Sequence, residues 1–169
     1  MSGDGMDHPS RVGSLRRTVT KARRKTNNDS AFLQDVVVML ERAGIVTWVF
    51  GGWAEEMRGL RPAGPHKDVD LLYPAPSFDV VDLWLLGEPL AAEITAKHLP
   101  HKRAFDWQGV MVELFLVEVA GSKLCTTFWS SEVFDWPADT LSENGTHLRT
   151  ASEAALNVYR AHYAQLRRA

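Results

Sequence analysis

Cysteine is nearly absent. Cys125 stands alone among 169 residues, so the chain closes no internal disulfide and builds no thiolate metal cage by itself. Any metal it holds is bound through oxygen or imidazole. Long apolar runs are missing too: none approaches the ~18–20 residues of a membrane span, and no apolar stretch follows the basic N-terminal residues, so a soluble cytoplasmic protein without a membrane partner is expected. Nor does one sign of charge dominate. Nineteen Lys and Arg against 21 Asp and Glu leave a formal net charge of −2, which argues against a nucleic-acid partner gripped by a global basic field. Repeats and low-complexity tracts are also absent, and a chain of this length with 45% hydrophobic residues is ordinary for one globular domain.

The charge that is present is unevenly spread. Residues 1–28 carry +5 and few large apolar side chains, and read as a basic, flexible N-terminal arm. Residues 29–169 carry −7 and read as a single domain whose acidity suits a cationic ligand.

Along that domain, Phe32, Val36, Val37, Leu40 and Ala43 recur at helical spacing from Asp29 to Glu41, with Gly44 as the stop. Ile45–Phe50 is a β-branched and aromatic run that ends at the Gly51-Gly52 turn, after which Trp53–Leu60 reads as helix. Pro62, Gly64 and Pro65 break the chain before a strand over Lys67–Tyr73, ended by Pro74 and Pro76. Helices are expected over Phe78–Leu86 and Leu90–His98. His101–Trp107 and Val110–Val119 flank Gln108-Gly109 as a hairpin, and Lys123–Trp129 adds a strand. The stretch containing Trp136-Pro137 reads as irregular, and Thr150-Ala151-Ser152-Glu153 has the spacing of a capping box for the last helix. This order predicts an α+β domain: a mixed β-sheet flanked by helices.

The chemistry is concentrated between Gly51 and Glu113. Asp68 and Asp70, at i and i+2 on a strand, point to one face, close enough to share a divalent cation. Such a pair repels itself unless neutralised, and Mg²⁺ suits it because that ion takes carboxylate and phosphate oxygens together. Gly51 and Gly52 lack Cβ atoms, so their backbone can approach a polyphosphate at the start of a helix. Glu113 stands among apolar residues in a strand and needs a partner there; beside the Asp-Val-Asp strand it would face the metal site and take a proton from an attacking hydroxyl. Lys67 or Arg61 is placed to neutralise the terminal phosphates, with His66 ordering the loop. Lys102 and Arg103 read as a solvated strand end, Tyr159 and Tyr163 as a core stripe at i, i+4, and Trp107, Trp129 and Trp136 as packing residues.

On Gly51-Gly52-Trp53-Ala54-Glu55-Glu56, Arg61, His66-Lys67-Asp68-Val69-Asp70-Leu71 and Gly109-Val110-Met111-Val112-Glu113, the sequence resembles the nucleotidyltransferase fold shared with DNA polymerase beta. Within that fold it resembles the small enzymes that adenylylate aminoglycosides or lincosamides. The resemblance covers roughly residues 31–119. It implies that Asp68 and Asp70 bind Mg²⁺, that Glu113 is the third acid at the metal and the general base, and that Gly51 and Gly52 lie against the triphosphate of ATP. It also implies that Glu56, where the family often has Asp, faces the acceptor or helps bind metal. Trp53 departs from the Ser usual in the wider superfamily, although the antibiotic-modifying subgroup also tolerates Trp. The implied activity is transfer of AMP from ATP to a hydroxyl of a small molecule. Length alone leaves little room for a separate substrate domain, so the acceptor pocket is expected from the C-terminal half or from a second subunit of a homodimer. Two alternatives stand beside it: a protein or tRNA-end acceptor contacted by the basic arm, as in antitoxin-type nucleotidyltransferases, and a non-catalytic nucleotide-binding domain.

Overall fold

The computed structural model describes residues 28–129, 131–142 and 148–166; the basic arm expected over residues 1–28 lies outside them except for Asn28. The chain order is α1 (Ser30–Arg42), β1 (Trp48–Phe50), α2 (Gly51–Met57), β2 (Asp68–Pro74), α3 (Asp79–Gly87) and β3 (Ala91–Glu93). A 3₁₀ turn (Thr95–Lys97) follows, then β4 (Lys102–Trp107), β5 (Val110–Ala120), β6 (Lys123–Phe128), β7 (Glu132–Trp136) and α4 (Glu153–Leu166). The main sheet runs β1-β2-β5-β4-β3, with β2 and β5 parallel and the other neighbours antiparallel. The last residues of β5 leave this path to pair with β6, which pairs with β7. This is the mixed sheet with flanking helices that the element order predicts.

Local chemistry explains the ends of the helices. Asp29 caps α1 by accepting from Phe32 N at 3.0 Å, and Phe32, Leu33, Val36, Val37 and Leu40 bury one face of it. Gly44 takes φ +77° beyond its end, where a side chain would be strained. At the other terminus the segment before α4 adds to the open edge of β1: Val49 N donates to Arg149 O at 2.7 Å and Ala151 N to Val49 O at 2.9 Å. Arg58, just past α2, donates to the Thr150 and Ala151 carbonyls. These bonds, with Tyr159 against Phe50 and stacked on Trp136, seat α4 beside the strand that leads into α2.

Five expectations need correction. Leu90–His98 is not a helix but strand β3 and a 3₁₀ turn: the segment is short, bounded by Pro89 and Pro100, and its extended half pairs with β4 from Ala91↔Trp107 to Glu93↔Phe105. Glu132–Trp136 is a strand rather than irregular, with Phe134 and Trp136 turned inward and Val133 and Asp135 outward. Its alternation was visible, but five residues against a Trp-Pro break gave a weak signal. The ladder of β1 starts only at Trp48. The first turn of α2 contains Gly51 and Gly52, so the glycines open the helix rather than precede it. Finally, α4 is capped by Ser152, which accepts from Ala155 N at 3.0 Å, and not by Thr150, whose residue bridges to β1.

Candidate active site

Strand pairing brings the acids together. β2 lies beside β5 with Asp70 level with Glu113 and Asp68 level with Met111. In-register residues on neighbouring strands share a face, so Asp68, Asp70 and Glu113 converge on one side of the sheet. There they line a cavity of about 700 Å³. Phe50, Gly51, Gly52 and Arg61 border its acid end, together with Lys97 and Lys102. Phe115, Phe128, Trp129, Tyr159, Tyr163 and Leu166 give the remainder an aromatic and apolar wall.

The two glycines have different jobs. Gly51 has φ +58°, and a Cβ placed on it would lie 2.3 Å from Asp70 Oδ2. Its missing side chain is the space that Asp70 occupies. A Cβ on Gly52 would approach Arg61 Nη1 at 3.0 Å and His66 Nδ1 at 3.2 Å, which are ends of side chains with more room to adjust. Gly51→Ala is therefore expected to cost about 2–4 kcal/mol of stability, from the left-handed backbone and the overpacking together. It should also displace Asp70. Gly52→Ala should cost about 1 kcal/mol or less. Urea denaturation of the two variants checks the order; equal effects would contradict it.

Like charge and burial shape the carboxylates. Burial first, and then the charges of Asp68 and Glu113, push the Asp70 carboxyl up to about 7. Burial raises Glu113 as well, but hydrogen bonds and charge from Lys97 and Lys102 outweigh it and hold that carboxyl below the usual range. Lys97 bonds to Glu113 Oε1, and Lys102 Nζ lies 2.9 Å from Oε2. Also on the cavity lining, Arg160 of α4 pairs with Glu55 of α2.

His101 is buried beside this cluster, its ring 4.8 Å from both Phe128 and Trp129, and its Nδ1 accepts from Trp129 N at 3.3 Å. Burial, with help from the Lys102 charge, lowers it to about 4. A histidine depressed from about 6.5 to about 4 contributes stability that is present above pH 6.5 and lost as pH falls through 4, because only the unfolded chain accepts the proton readily in between. Between pH 7 and pH 4 the wild type should therefore lose on the order of 1–3 kcal/mol more than His101→Phe in urea titrations. Identical slopes would contradict the assignment.

Other residues read from the sequence lie elsewhere. Lys67 is exposed and does not line the cavity, whereas Arg61 does. Glu56 accepts from Gly64 N at 3.1 Å and meets His66 Nε2 at 2.9 Å, so it fastens the loop ahead of β2 and is not among the cavity-lining residues. Bonds from His66 and Gly64 hold its carboxyl low. Trp53, in place of a serine, stacks on His66 with centroids 3.8 Å apart and donates to Asn28 Oδ1, while Asn28 donates to Asp68 O. It braces the entry to β2. Arg103 is not solvated: it is buried, forks onto Asp82 at 2.6 and 2.9 Å, and lies over the Phe78 ring.

Sequence reasoning missed Lys97, Lys102 and the aromatic wall. Lys102 pairs with Phe115, two residues along from the Ala104↔Glu113 rung, so once the hairpin register is known its place on the Glu113 face follows. Lys97 gave no signal, because its segment was read as a helix.

The donor set is suited to a hard cation. Among the described residues no group of three His, Cys, Asp or Glu stands ready to hold a metal. Asp68 and Asp70 provide two carboxylates on the cavity side of one strand, and Gly51 leaves Asp70 the room to face it. A cation held by one or two carboxylates that completes its shell with water and substrate phosphate fits this pair, which is the habit of Mg²⁺.

Strand order, the parallel β2–β5 pair carrying the acids, and the helix opening at Gly51 together define a nucleotidyltransferase fold. Solved structures of that fold are similar to this one. The lincosamide antibiotic adenylyltransferase LnuA, bound to lincomycin, superposes with a TM-score of 0.65 at 14% identity over 82% of this chain and 89% of that one. ANT(2'')-Ia in complex with adenylyl-2''-tobramycin gives a TM-score of 0.60 at 16% identity over 80% of this chain and 75% of that one. At such identities the likeness is one of fold. No protein-family model and no curated protein matches the sequence. No helix among the described residues is long and apolar enough to cross a membrane.

Proposed function

We propose that the protein is a nucleotidyltransferase that moves AMP from ATP to a hydroxyl group of a small-molecule antibiotic. The observation that carries this reading is the convergence of Asp68, Asp70 and Glu113 on one cavity, in a fold similar to those of two antibiotic adenylyltransferases.

Asp68 and Asp70 would hold Mg²⁺, which when bound offsets the negative charge of the phosphates and of the transition state. Gly51 leaves Asp70 the room to face the cavity, and the polyphosphate would lie along the cavity's Gly51-Gly52 border with Arg61 beside it. Glu113 accepts the proton of the acceptor hydroxyl. The hydroxyl oxygen then bonds to the α-phosphorus, the bond from that phosphorus to the bridging α–β oxygen breaks in line, and pyrophosphate leaves. Because Glu113 already holds two ammonium groups, its part in this reading is proton transfer, and the cation is left to the aspartates.

The acceptor is received at the aromatic end. Acidity of the whole domain favoured a polycation, yet the cavity is balanced: Glu55, Asp68, Asp70 and Glu113 face Arg61, Lys97, Lys102 and Arg160. With Glu55 paired to Arg160 and an aromatic wall on the same cavity, the site favours an acceptor with an apolar portion and little positive charge. Lincomycin should therefore be adenylylated with a higher kcat/KM than tobramycin, read as product mass; the reverse order would assign the cavity to polycations.

A further inference from the structure

Glu113 has more cationic partners than it needs. Its side chain is 7% exposed, and two lysines bond to it, one on each oxygen. One ammonium prevents the cost of an unpaired buried carboxylate, so the second can leave without stranding the charge. The two lysines are held differently. Lys102 comes from strand β4, is 16% exposed, and its ammonium sits 4.3 Å from the centre of the Phe115 ring. Lys97 comes from the 3₁₀ turn outside the sheet and is 36% exposed. Lys97 is thus the partner that can go.

Charge gives it somewhere to go. Asp68, Asp70 and Glu113 set against Arg61, Lys97 and Lys102 leave the cluster formally neutral, and a divalent cation at the aspartates makes it two units positive. An anion entering the same cavity then competes with Glu113 for the looser ammonium. Resting on the nucleotidyl-transfer reading, we propose that Lys97 is an exchangeable counterion, passing from Glu113 to the polyphosphate of the incoming nucleotide. The exchange frees a Glu113 oxygen for the acceptor hydroxyl, so nucleotide binding prepares the base and precedes productive acceptor binding. Lys102 stays behind as the positioning residue.

Exchange requires Glu113 and the nucleotide to compete for one lysine, which a double-mutant cycle detects without turnover. ATP with Mg²⁺, with no acceptor present, is titrated calorimetrically into wild type, Glu113→Gln, Lys97→Met and the double variant, with thermal melts to establish that each is folded. Glu113→Gln should bind ATP several-fold more tightly than wild type, and Lys97→Met about tenfold more weakly. In the Lys97→Met background, Glu113→Gln should add nothing. Equal tightening in both backgrounds would reduce the effect to bulk charge and overturn the exchange, as would ATP binding indifferent to Lys97→Met. Absence of ATP binding by every folded form, with or without Mg²⁺, would remove the nucleotidyl-transfer reading itself, and the exchange with it.

Discussion

Replacing Asp70 by Asn is expected to lower turnover about 10³-fold or more while leaving the protein folded. A carboxylate that holds a catalytic cation contributes several kcal/mol to stabilising the transition-state charge, and each 1.36 kcal/mol is about a factor of ten in rate. Asp70 faces the cavity from a strand whose core contacts are made by Val69, Leu71 and Leu72, so the substitution removes a ligand and spares the packing. It also relieves the repulsion that Asp68 and Glu113 exert on Asp70. In EDTA the melting temperature of Asp70→Asn should accordingly equal or exceed that of the wild type, while the stabilisation gained on adding Mg²⁺ with ATP should shrink. Pyrophosphate release and paired thermal melts check both halves. Activity within a few-fold of wild type would contradict the metal assignment, and a collapsed fold would make Asp70 a structural residue.

The second large effect belongs to Glu113→Gln, for which kcat should fall about 10²–10⁴-fold, the range for loss of a general base. The amide keeps the size of the side chain and one oxygen for Lys102, so the cavity is preserved. ATP binding should be retained or several-fold tighter, and the loss should appear in kcat rather than as a raised KM for ATP. Normal kcat with lost nucleotide binding would instead make Glu113 part of the nucleotide or metal site.

Much of this was legible because strand chemistry has a short period. Asp68 and Asp70 alternate with Val69 and Leu71, and that pattern fixes both the strand and the face. Glu113 was conspicuous as a charge among buried apolar neighbours, and its alignment with Asp70 followed once the two strands were placed side by side. Gly51 was legible as a site of close approach, but its neighbour was not: the atom that needs the space is Asp70 Oδ2, which a sequence does not reveal. Long side chains were hidden for a related reason. Lys97 and Lys102 reach Glu113 across tertiary distance, and Lys97 leaves from a turn whose existence depends on the pairing of β3 with β4. Tyr159 and Tyr163 were read as core at i, i+4; they line the cavity because α4 is seated by backbone bonds between Val49 and the Arg149–Ala151 segment. Whole-domain charge points to a cationic acceptor, whereas the proposed reading weighs the charge pairing within the cavity itself.

The most direct test of the account is pyrophosphate release from ATP and Mg²⁺, with lincomycin and with tobramycin as acceptors, by wild type and by the Asp68→Asn/Asp70→Asn variant, with products identified by mass. Acceptor-dependent release, a product carrying one added AMP, and loss of both in the variant are the expected results. Release that needs no acceptor, or that survives in the variant, would contradict the account.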